Sequence, residues 1–181
     1  MPTVETKYFG TLPYADDSVF DFPQGLPAFE EEKTFVLIEL PRGDVAKGGA
    51  PDRPPLLFLQ SIAQASLCFA AFPILVVDEK YELAIAPEDL EELGLDPRRQ
   101  PALGAEVMVL ALISLRGKSV ATANLMAPVV LNIKTRRGLQ AIRRDSRYSH
   151  QHSIAGQPPG EKAGEERRPQ DPATAQAEEA C

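Results

Sequence analysis

Short apolar runs, separated by glycine, proline or charged residues, recur through most of the chain. They are rich in β-branched and large apolar residues, and each has the length of a strand rather than of a helix. Many short strands with this punctuation favour an antiparallel sandwich or barrel. The sequence therefore predicts a mostly β chain, with strands at residues 3–10, 34–40, 56–60, 67–72, 81–85, 106–115, 118–126, 128–133 and 138–142.

The alternation within these runs predicts which side chains share a face of the sheet, because successive residues of a strand point in opposite directions. In the first run, Val4, Thr6 and Tyr8 fall on one side. In the last run, Leu139 points the same way as Ala141 and Arg143, and Ile142 points the other way.

One short helix is predicted at residues 87–94, which read PEDLEELG. The two acidic residues after the proline fall in the first turn, where they complement the helix dipole. Leu90 and Leu93 share one face, and Gly94 can adopt the left-handed conformation that ends a helix.

The composition changes near residue 156, and this change predicts where the folded domain ends. From there to the C-terminus the chain has no aromatic residue and no Val, Ile, Leu or Met. Such a segment cannot bury enough apolar surface to offset the entropy of ordering it. We expect a single domain at residues 1–153 and a disordered, acidic, Pro/Gly-rich tail at residues 154–181. Residues 42–54 read as a Gly/Pro-rich surface loop, and residues 116–118 as a tight hairpin turn.

The charge distribution favours protein partners over nucleic acid or membranes. The net charge is −7, which repels phosphate backbones and anionic lipid and attracts basic protein surfaces. Residues 134–155 run against this trend, with six basic residues and one acidic residue. Direct RNA binding by this segment stays open, but ion pairs with the acidic body or tail fit better, because no stacking aromatic interrupts the basic residues before Tyr148. No apolar stretch is long enough to span a membrane.

The sequence offers no motif for catalysis, for a cofactor or for a metal. It lacks the G-x-S-x-G, Walker-type and G-x-G-x-x-G patterns. His150 and His152 have no carboxylate or cysteine nearby to complete a ligand set. Cys68 reads as a small buried apolar residue and Cys181 as an exposed thiol, which fits a reducing cytosol. We therefore expect a binding protein rather than an enzyme, although a carboxylate pair in a cleft would not be visible at this level.

Residues 19–30 bring three phenylalanines into a segment that two prolines and a glycine make rigid. Its rings either close one end of a barrel or form a preformed apolar surface on which a partner docks.

At this loop the sequence resembles the flagellar assembly factor FliW family. Any one matching piece is weak, but together they follow the family order over residues 6–149. The chain departs from the family pattern at Ala28, where the family has glycine. The matching pieces are TKYFG at 6–10, FPQGLPAFE at 22–30, FVLI at 35–38, LQS at 59–61, LCF at 67–69, YEL at 81–83, LEELGL at 90–95, TANLMAPVVLN at 122–132, RRGLQAI at 136–142 and DSRYS at 145–149.

The resemblance implies a β-barrel-like cytoplasmic protein, monomeric when free, that needs no cofactor. Such proteins bind flagellin before its export, and they bind the translational repressor CsrA away from its main RNA surface, as allosteric antagonists. A flagellin-specific chaperone without the CsrA contact is the alternative. The partner-binding residues that we expect on this basis are Phe22, Gly25, Leu26, Phe29, Gln60, Ser61 and Asn124.

Overall fold

The computed structural model describes residues 1–39, 55–115 and 121–154. The predictions for the loop at 42–54, for the turn at 116–118 and for the tail beyond residue 154 fall outside these ranges. Within them, eleven strands, two short α-helices and one 3₁₀ turn at Asp16–Ser18 follow one another. The strands are β1 Thr3–Thr6, β2 Gly10–Pro13, β3 Val19–Asp21, β4 Thr34–Glu39, β5 Leu57–Ser61, β6 Cys68–Pro73, β7 Val107–Ser114, β8 Thr122–Ala123, β9 Val129–Asn132, β10 Gly138–Gln140 and β11 His152–Ser153, and the helices are α1 Ile74–Val77 and α2 Pro87–Glu92.

One nine-stranded antiparallel sheet forms most of the described structure, in the order β10-β9-β7-β6-β5-β4-β3, with β8 pairing with β7 and β11. The hairpin β1-β2 forms a separate small sheet. The two ends of the large sheet approach each other at a single parallel bridge between Asp21 and Arg137. There the Asp21 N–H donates to the Arg136 carbonyl at 2.8 Å. The sheet is therefore curled and barrel-like, without a continuous ladder that closes it.

Both faces of the sheet are buried, which follows from the alternation of its strands. Leu37 of β4 lies opposite Leu59 of β5, and Leu59 lies opposite Phe69 of β6, so the three side chains share one face. We call the apolar cluster on this face the inner cluster. Its fully buried members are Phe20, Phe22, Leu26, Phe35, Leu57, Leu59, Leu67, Ala71, Leu110, Val129 and Leu131.

The opposite face packs against the two helices and the segments that flank them. Leu90 and Leu93 are buried there, as the helical spacing predicted, and Gly94 follows with a φ of +75°. Tyr81 and Ile85 are also buried in this outer cluster, together with Ile74, Val107, Val109, Ala111, Ala123, Leu125, Val130, Leu139 and Ala141.

The predicted runs at 34–40, 56–60, 67–72, 106–115, 128–133 and 138–142 are confirmed as strands within one or two residues at most ends. Leu139, Ala141 and Arg143 are buried and Ile142 is 59% exposed, so the predicted faces of the last run are also confirmed. Of the run at 118–126, only β8 is a strand in the described part.

Two predicted strands are wrong in extent or type. The run at 3–10 is broken by a turn, in which the Thr6 hydroxyl donates to the Gly10 carbonyl at 2.8 Å. Tyr8 lies in that turn and is 69% exposed, so it does not share the buried side of Val4 and Thr6. The segment 81–85 is not a strand.

Residues 81–85 do not form a strand because a side chain supplies the hydrogen bonds of the Ile85 backbone. The Gln100 carboxamide accepts from the Ile85 N–H at 2.8 Å and donates to the Ile85 carbonyl at 2.9 Å. A side chain thus takes the place of a neighbouring strand. The structure also contains α1, a four-residue helix that the sequence did not predict.

Candidate functional site

The loop at residues 22–30 is anchored in the inner cluster by Phe22. Its ring is completely buried and lies 5.1 Å from the Phe35 ring, edge to face. The other side of the ring meets Gly138, where an added Cβ would fall 2.6 Å from the Phe22 Cζ atom. Phe22 therefore closes the seam between β3 and β10, and it is not exposed to a partner.

Two further residues of this loop set its backbone path. Gly25 has a φ of +72°, and a Cβ there would lie 2.6 Å from the Glu30 Cα atom, so no side chain fits. Leu26 is 2% exposed, and its carbonyl accepts from the Phe29 N–H at 2.7 Å. Both residues were predicted to bind a partner; the structure buries both, and they set the backbone path of the loop.

Phe29 is the one apolar residue predicted for partner contact in this loop that reaches the surface. Its side chain is 37% exposed, and its ring packs edge to face on Phe69 at a centroid distance of 5.3 Å. Phe69 in turn lies 6.2 Å from the buried Phe35 ring. The exposed ring is thus held through two aromatic contacts by the core, and such a preordered aromatic loses little entropy on binding.

Gln60 and Ser61 are fully buried, so the structure does not expose them for the contact that we expected. The Ser61 hydroxyl donates to a Glu32 carboxylate oxygen at 2.6 Å and accepts from the Gln64 N–H at 3.0 Å. The Gln60 amide nitrogen donates to the carbonyls of Ser61 and Leu67, each at 3.0 Å. These side chains hold the β5–β6 turn and the end of the Phe29 loop in place.

Asn124 borders a surface depression whose lining includes Phe69, the residue on which Phe29 packs. The side-chain amide oxygen of Asn124 accepts from the Ala127 N–H at 2.9 Å, and this bond fixes the side chain. Its exposed part lines a cleft of about 280 Å³, which we call the Phe69 cleft. The other lining residues are Phe69, Leu112, Ile113, Ser114, Thr122, His150 and Gln151.

Phe69 and Leu112 are the residues of this site that the sequence analysis missed. Both are partly buried and pack against the inner cluster, so the floor of the cleft is the rim of the core. In the sequence they look like any other alternating strand residue. Their position at the opening depends on the pairing of β6 with β7, which no local pattern revealed.

The acidic residues after Phe29 give this part of the surface a negative charge. Glu30 and Glu31 are exposed. The Glu30 carboxylate accepts hydrogen bonds from its own N–H and from the Ala28 N–H, and these lower its pKa below the ordinary value. The carboxylate is therefore ionised at neutral pH.

Half of the basic residues of residues 134–155 form ion pairs, two with the acidic body, as the charge pattern predicted, and one within the segment itself. Arg143 is 5% exposed and pairs with Asp145 at 2.7 Å, and the partnership raises the pKa of the arginine and lowers that of the aspartate. Its guanidinium also lies 5.6 Å from the Tyr81 ring centroid and 4.8 Å from that of Tyr148.

Two more arginines of this segment make ion pairs with acidic residues far away in the sequence. Arg144 pairs with Glu88, and Arg147 pairs with Glu82. Three of the six basic residues are thereby neutralised within the fold, which weakens the RNA-binding interpretation.

A second cleft, of about 380 Å³, opens beside the end of α2. Arg99 forms a bidentate ion pair with Glu106, at 2.8 and 2.6 Å, and these bonds lower the pKa of Glu106 to about 2. Asn132 donates to the Leu93 carbonyl and accepts from the N–H groups of Lys134 and Thr135. The side chains of Arg99, Glu106 and Asn132 are therefore already engaged within the fold.

The described ranges contain no group of three or more His, Cys, Asp and Glu side chains that could hold a metal ion. His150 and His152 are exposed, and Cys68 is half-buried, which raises the pKa of its thiol. Among the helices in these ranges, none is long and apolar enough to cross a membrane.

Comparison with known proteins gives consistent results in sequence and in structure. The family model described as FliW protein matches residues 3–154. The flagellar assembly factor FliW of Azoarcus sp. (strain BH72) is 33% identical over 145 residues, which cover 77% of this chain and 89% of that protein. The protein of the same name from Bacillus subtilis (strain 168) is 30% identical over 155 residues, 85% of this chain and 97% of that protein.

A solved structure supports the same relationship. The crystal structure of the flagellar assembly factor FliW matches with a TM-score of 0.68 and 28% identity, and the match covers 86% of this chain and 98% of that chain. The similarity therefore extends over almost the whole described part of the chain.

Proposed function

This chain belongs to the FliW family, and we propose that it acts as a flagellar assembly factor that binds flagellin and the repressor CsrA in turn. In this account it binds flagellin in the cytoplasm before export. When unexported flagellin is scarce, the freed protein binds CsrA as an allosteric antagonist and relieves repression of flagellin synthesis. When flagellin accumulates, it takes the protein away from CsrA.

The observation that carries this proposal is the family match over residues 3–154. The Phe69 cleft supplies a surface suited to the role, because Asn124 lines it and Phe29, which two exposed acidic residues follow in the chain, packs on its lining residue Phe69. Phe29 and Asn124 are two of the partner-binding residues that the resemblance implied, and both have solvent-exposed atoms. Phe22, Leu26 and Gln60 are buried beneath the surface.

No catalytic step is part of the proposal. At the Phe69 cleft the Asn124 side chain is fixed by a hydrogen bond from the backbone, and in the second cleft Arg99 and Glu106 form an ion pair. A binding protein needs a preordered surface and moderate affinities whose difference decides between partners.

Titration with purified flagellin and CsrA tests the proposal itself, and substituting the exposed aromatic ring tests the part that the Phe29 surface plays in it. Phe29→Ala removes a ring that the core holds in place, and we expect the affinity for at least one of flagellin and CsrA to fall by tenfold or more, about 1.4 kcal/mol. Isothermal titration with each purified partner measures the loss, and circular dichroism checks that the fold is retained.

Tyr8→Ala is the matched control, because Tyr8 is 69% exposed and packs on Phe9, which contacts Phe58 on the other face of β5. It should leave both affinities unchanged. Binding of flagellin alone by the unaltered protein would support the chaperone alternative, and binding of neither partner would refute the proposal.

A further inference from the structure

The Phe69 cleft has the size and chemistry of a receptor for a few side chains. Its volume of about 280 Å³ lies just below the range of roughly 300–1,000 Å³ that is usual for pockets that enclose small-molecule ligands. Phe69 and Leu112 give it an apolar floor. The side chains of Ser114 and Thr122, neighbours across the β7–β8 pair, give it a polar wall. One or two large apolar side chains of a partner would fill it.

The charge of the loop that carries Phe29 determines which residues of a partner can flank those apolar side chains. Phe29 packs on Phe69, and Glu30 and Glu31 follow it directly in the chain, both exposed. The hydrogen bond from the Ala28 N–H orients the Glu30 carboxylate at the loop tip. Lys33 is the nearest basic residue along the chain, and its ammonium group donates to the Pro23 carbonyl. Lys33 is also exposed, and its charge helps to lower the pKa of Glu30, so the loop carries a net negative rather than a purely acidic surface.

We propose that the Phe69 cleft is the docking site for a protein segment that presents one or two large apolar side chains flanked by lysine or arginine. The apolar side chains enter the cleft beside Phe29, and the basic residues lie against Glu30 and Glu31. This inference rests on the proposed function in that the segment belongs to a protein partner of this chain.

Charge complementarity is what selects this occupant. A nucleic acid or an anionic membrane would bring phosphate groups toward the two carboxylates, which is repulsive. A second copy of the same chain would bring another acidic loop, because a two-fold contact places the same surface on both sides. A basic, apolar segment meets attraction from the acidic loop and loses apolar surface to the cleft.

The test uses synthetic peptides, so its outcome does not depend on whether flagellin or CsrA binds. The first peptide carries leucine, phenylalanine and arginine residues. The second has glutamate in place of every arginine, and the third has serine in place of the apolar residues. Each is titrated into the full-length ¹⁵N-labelled protein, and amide shifts are followed by NMR. We expect the first peptide to bind at least about tenfold more tightly than the others and to shift the amides of Phe69, Leu112 and Asn124.

Substitutions at Ser114 separate the roles of charge and shape, because this exposed residue lines the cleft and can be changed without disturbing the core. Ser114→Arg should weaken the first peptide several-fold and Ser114→Glu should strengthen it, relative to a neutral Ser114→Gln variant. Phe29→Ala should weaken it about tenfold.

The proposal fails if the glutamate peptide binds as well as the arginine peptide, if the shifts map elsewhere, or if the two charged variants act in the same direction. Peptide binding at the cleft without any affinity for flagellin or CsrA would retain this inference and refute the proposed function. Binding of those proteins that Phe29→Ala and the Ser114 variants leave unchanged would refute this inference alone.

Discussion

Ala28 carries a backbone conformation that an alanine adopts at a cost. Its φ is +70°, in the left-handed region, where a Cβ crowds the following carbonyl and costs about 1–2 kcal/mol. The family pattern has glycine at this position. The neighbouring loop explains why the conformation persists, because the Ala28 N–H donates to the Glu30 carboxylate and the Phe29 N–H donates to the Leu26 carbonyl.

Replacing this alanine should therefore stabilise the protein. For Ala28→Gly we expect a gain of roughly 0.5–1 kcal/mol, the relief of the strain less the extra freedom that glycine gives the unfolded chain. Urea unfolding at neutral pH measures it. The reverse substitution, Gly10→Ala, is the control. Gly10 has a φ of +69° and no atom lies within 4 Å of the added Cβ, so this variant should lose a similar amount of stability through backbone strain alone. A loss of stability in Ala28→Gly would contradict the strain argument.

Arg143 shows what composition can and cannot reveal at the level of one residue. The sequence showed a basic segment and the face on which Arg143 lies, and both were right. It did not show that this guanidinium would be buried beside the rings of Tyr81 and Tyr148, because those rings come from segments 62 and 5 residues away in the chain. Burial of a charge is tolerated when it is paired and hydrogen-bonded, and here Asp145 and the Glu82 carbonyl meet that need.

At the scale of elements, alternation and length were enough to locate most strands. β4 to β7, β9 and β10 combine β-branched and large apolar residues with turn residues at both ends, and the sequence analysis found all six. It missed β2, β3 and β11, because these have only two to four residues and little apolar contrast. The segment at 81–85 was misassigned because the pattern of a buried loop resembles that of a strand.

The candidate site was only partly predictable, because local composition shows the loop but not the residues that it packs against. The Phe-rich loop stands out in the sequence, and so does its rigidity. Which of its rings is exposed depends on contacts with residues far away in the sequence. The Phe22 ring packs against Gly138, and the Phe29 ring packs on Phe69. Phe69 and Leu112 could not be singled out, since each belongs to a strand whose neighbours decide whether it is core or surface.

The connection before β7 is held by one ion pair that should make stability depend on pH. Glu106 accepts two bonds from Arg99 and one from the Ala102 N–H, and its pKa falls from 4.5 to about 2. A carboxyl group whose pKa is lowered by folding stabilises the native state above its unfolded pKa. That contribution is lost as the pH falls from about 4.5 to about 2.

The lowered pKa of Glu106 predicts how Glu106→Gln changes the stability of the protein with pH. The variant should be less stable than the parent at neutral pH, and the difference should narrow as the pH falls through that window. Urea midpoints across the pH range measure it. Glu79→Gln serves as a control, because Glu79 is exposed and makes no side-chain hydrogen bond in the described part of the chain. A difference between parent and Glu106→Gln that stays constant at all pH values would show that the ion pair is not its source.

At the scale of the whole molecule, the curled sheet explains why a rigid surface can form at its opening. Strands β3 and β10 approach each other at one bridge, and Phe22 fills the seam. The inner cluster therefore reaches the surface at its rim, where Phe69 and Leu112 form the floor of the cleft. An apolar floor backed by a packed core keeps its shape with or without a partner, which fits the exchange of partners that we propose.

The net charge of −7 acts at the same scale. It favours encounter with a basic protein and discourages direct contact with RNA. We expect the association rate with CsrA to fall as the salt concentration rises, as electrostatic steering requires.

The central claim is that one protein exchanges two partners, and competition between them tests it most directly. The protein is first saturated with purified CsrA, flagellin from the same organism is then titrated in, and heat and free CsrA are measured together. The account predicts saturable binding of each partner alone and release of CsrA as flagellin binds. Simultaneous binding of both partners, with no release of CsrA, would contradict it.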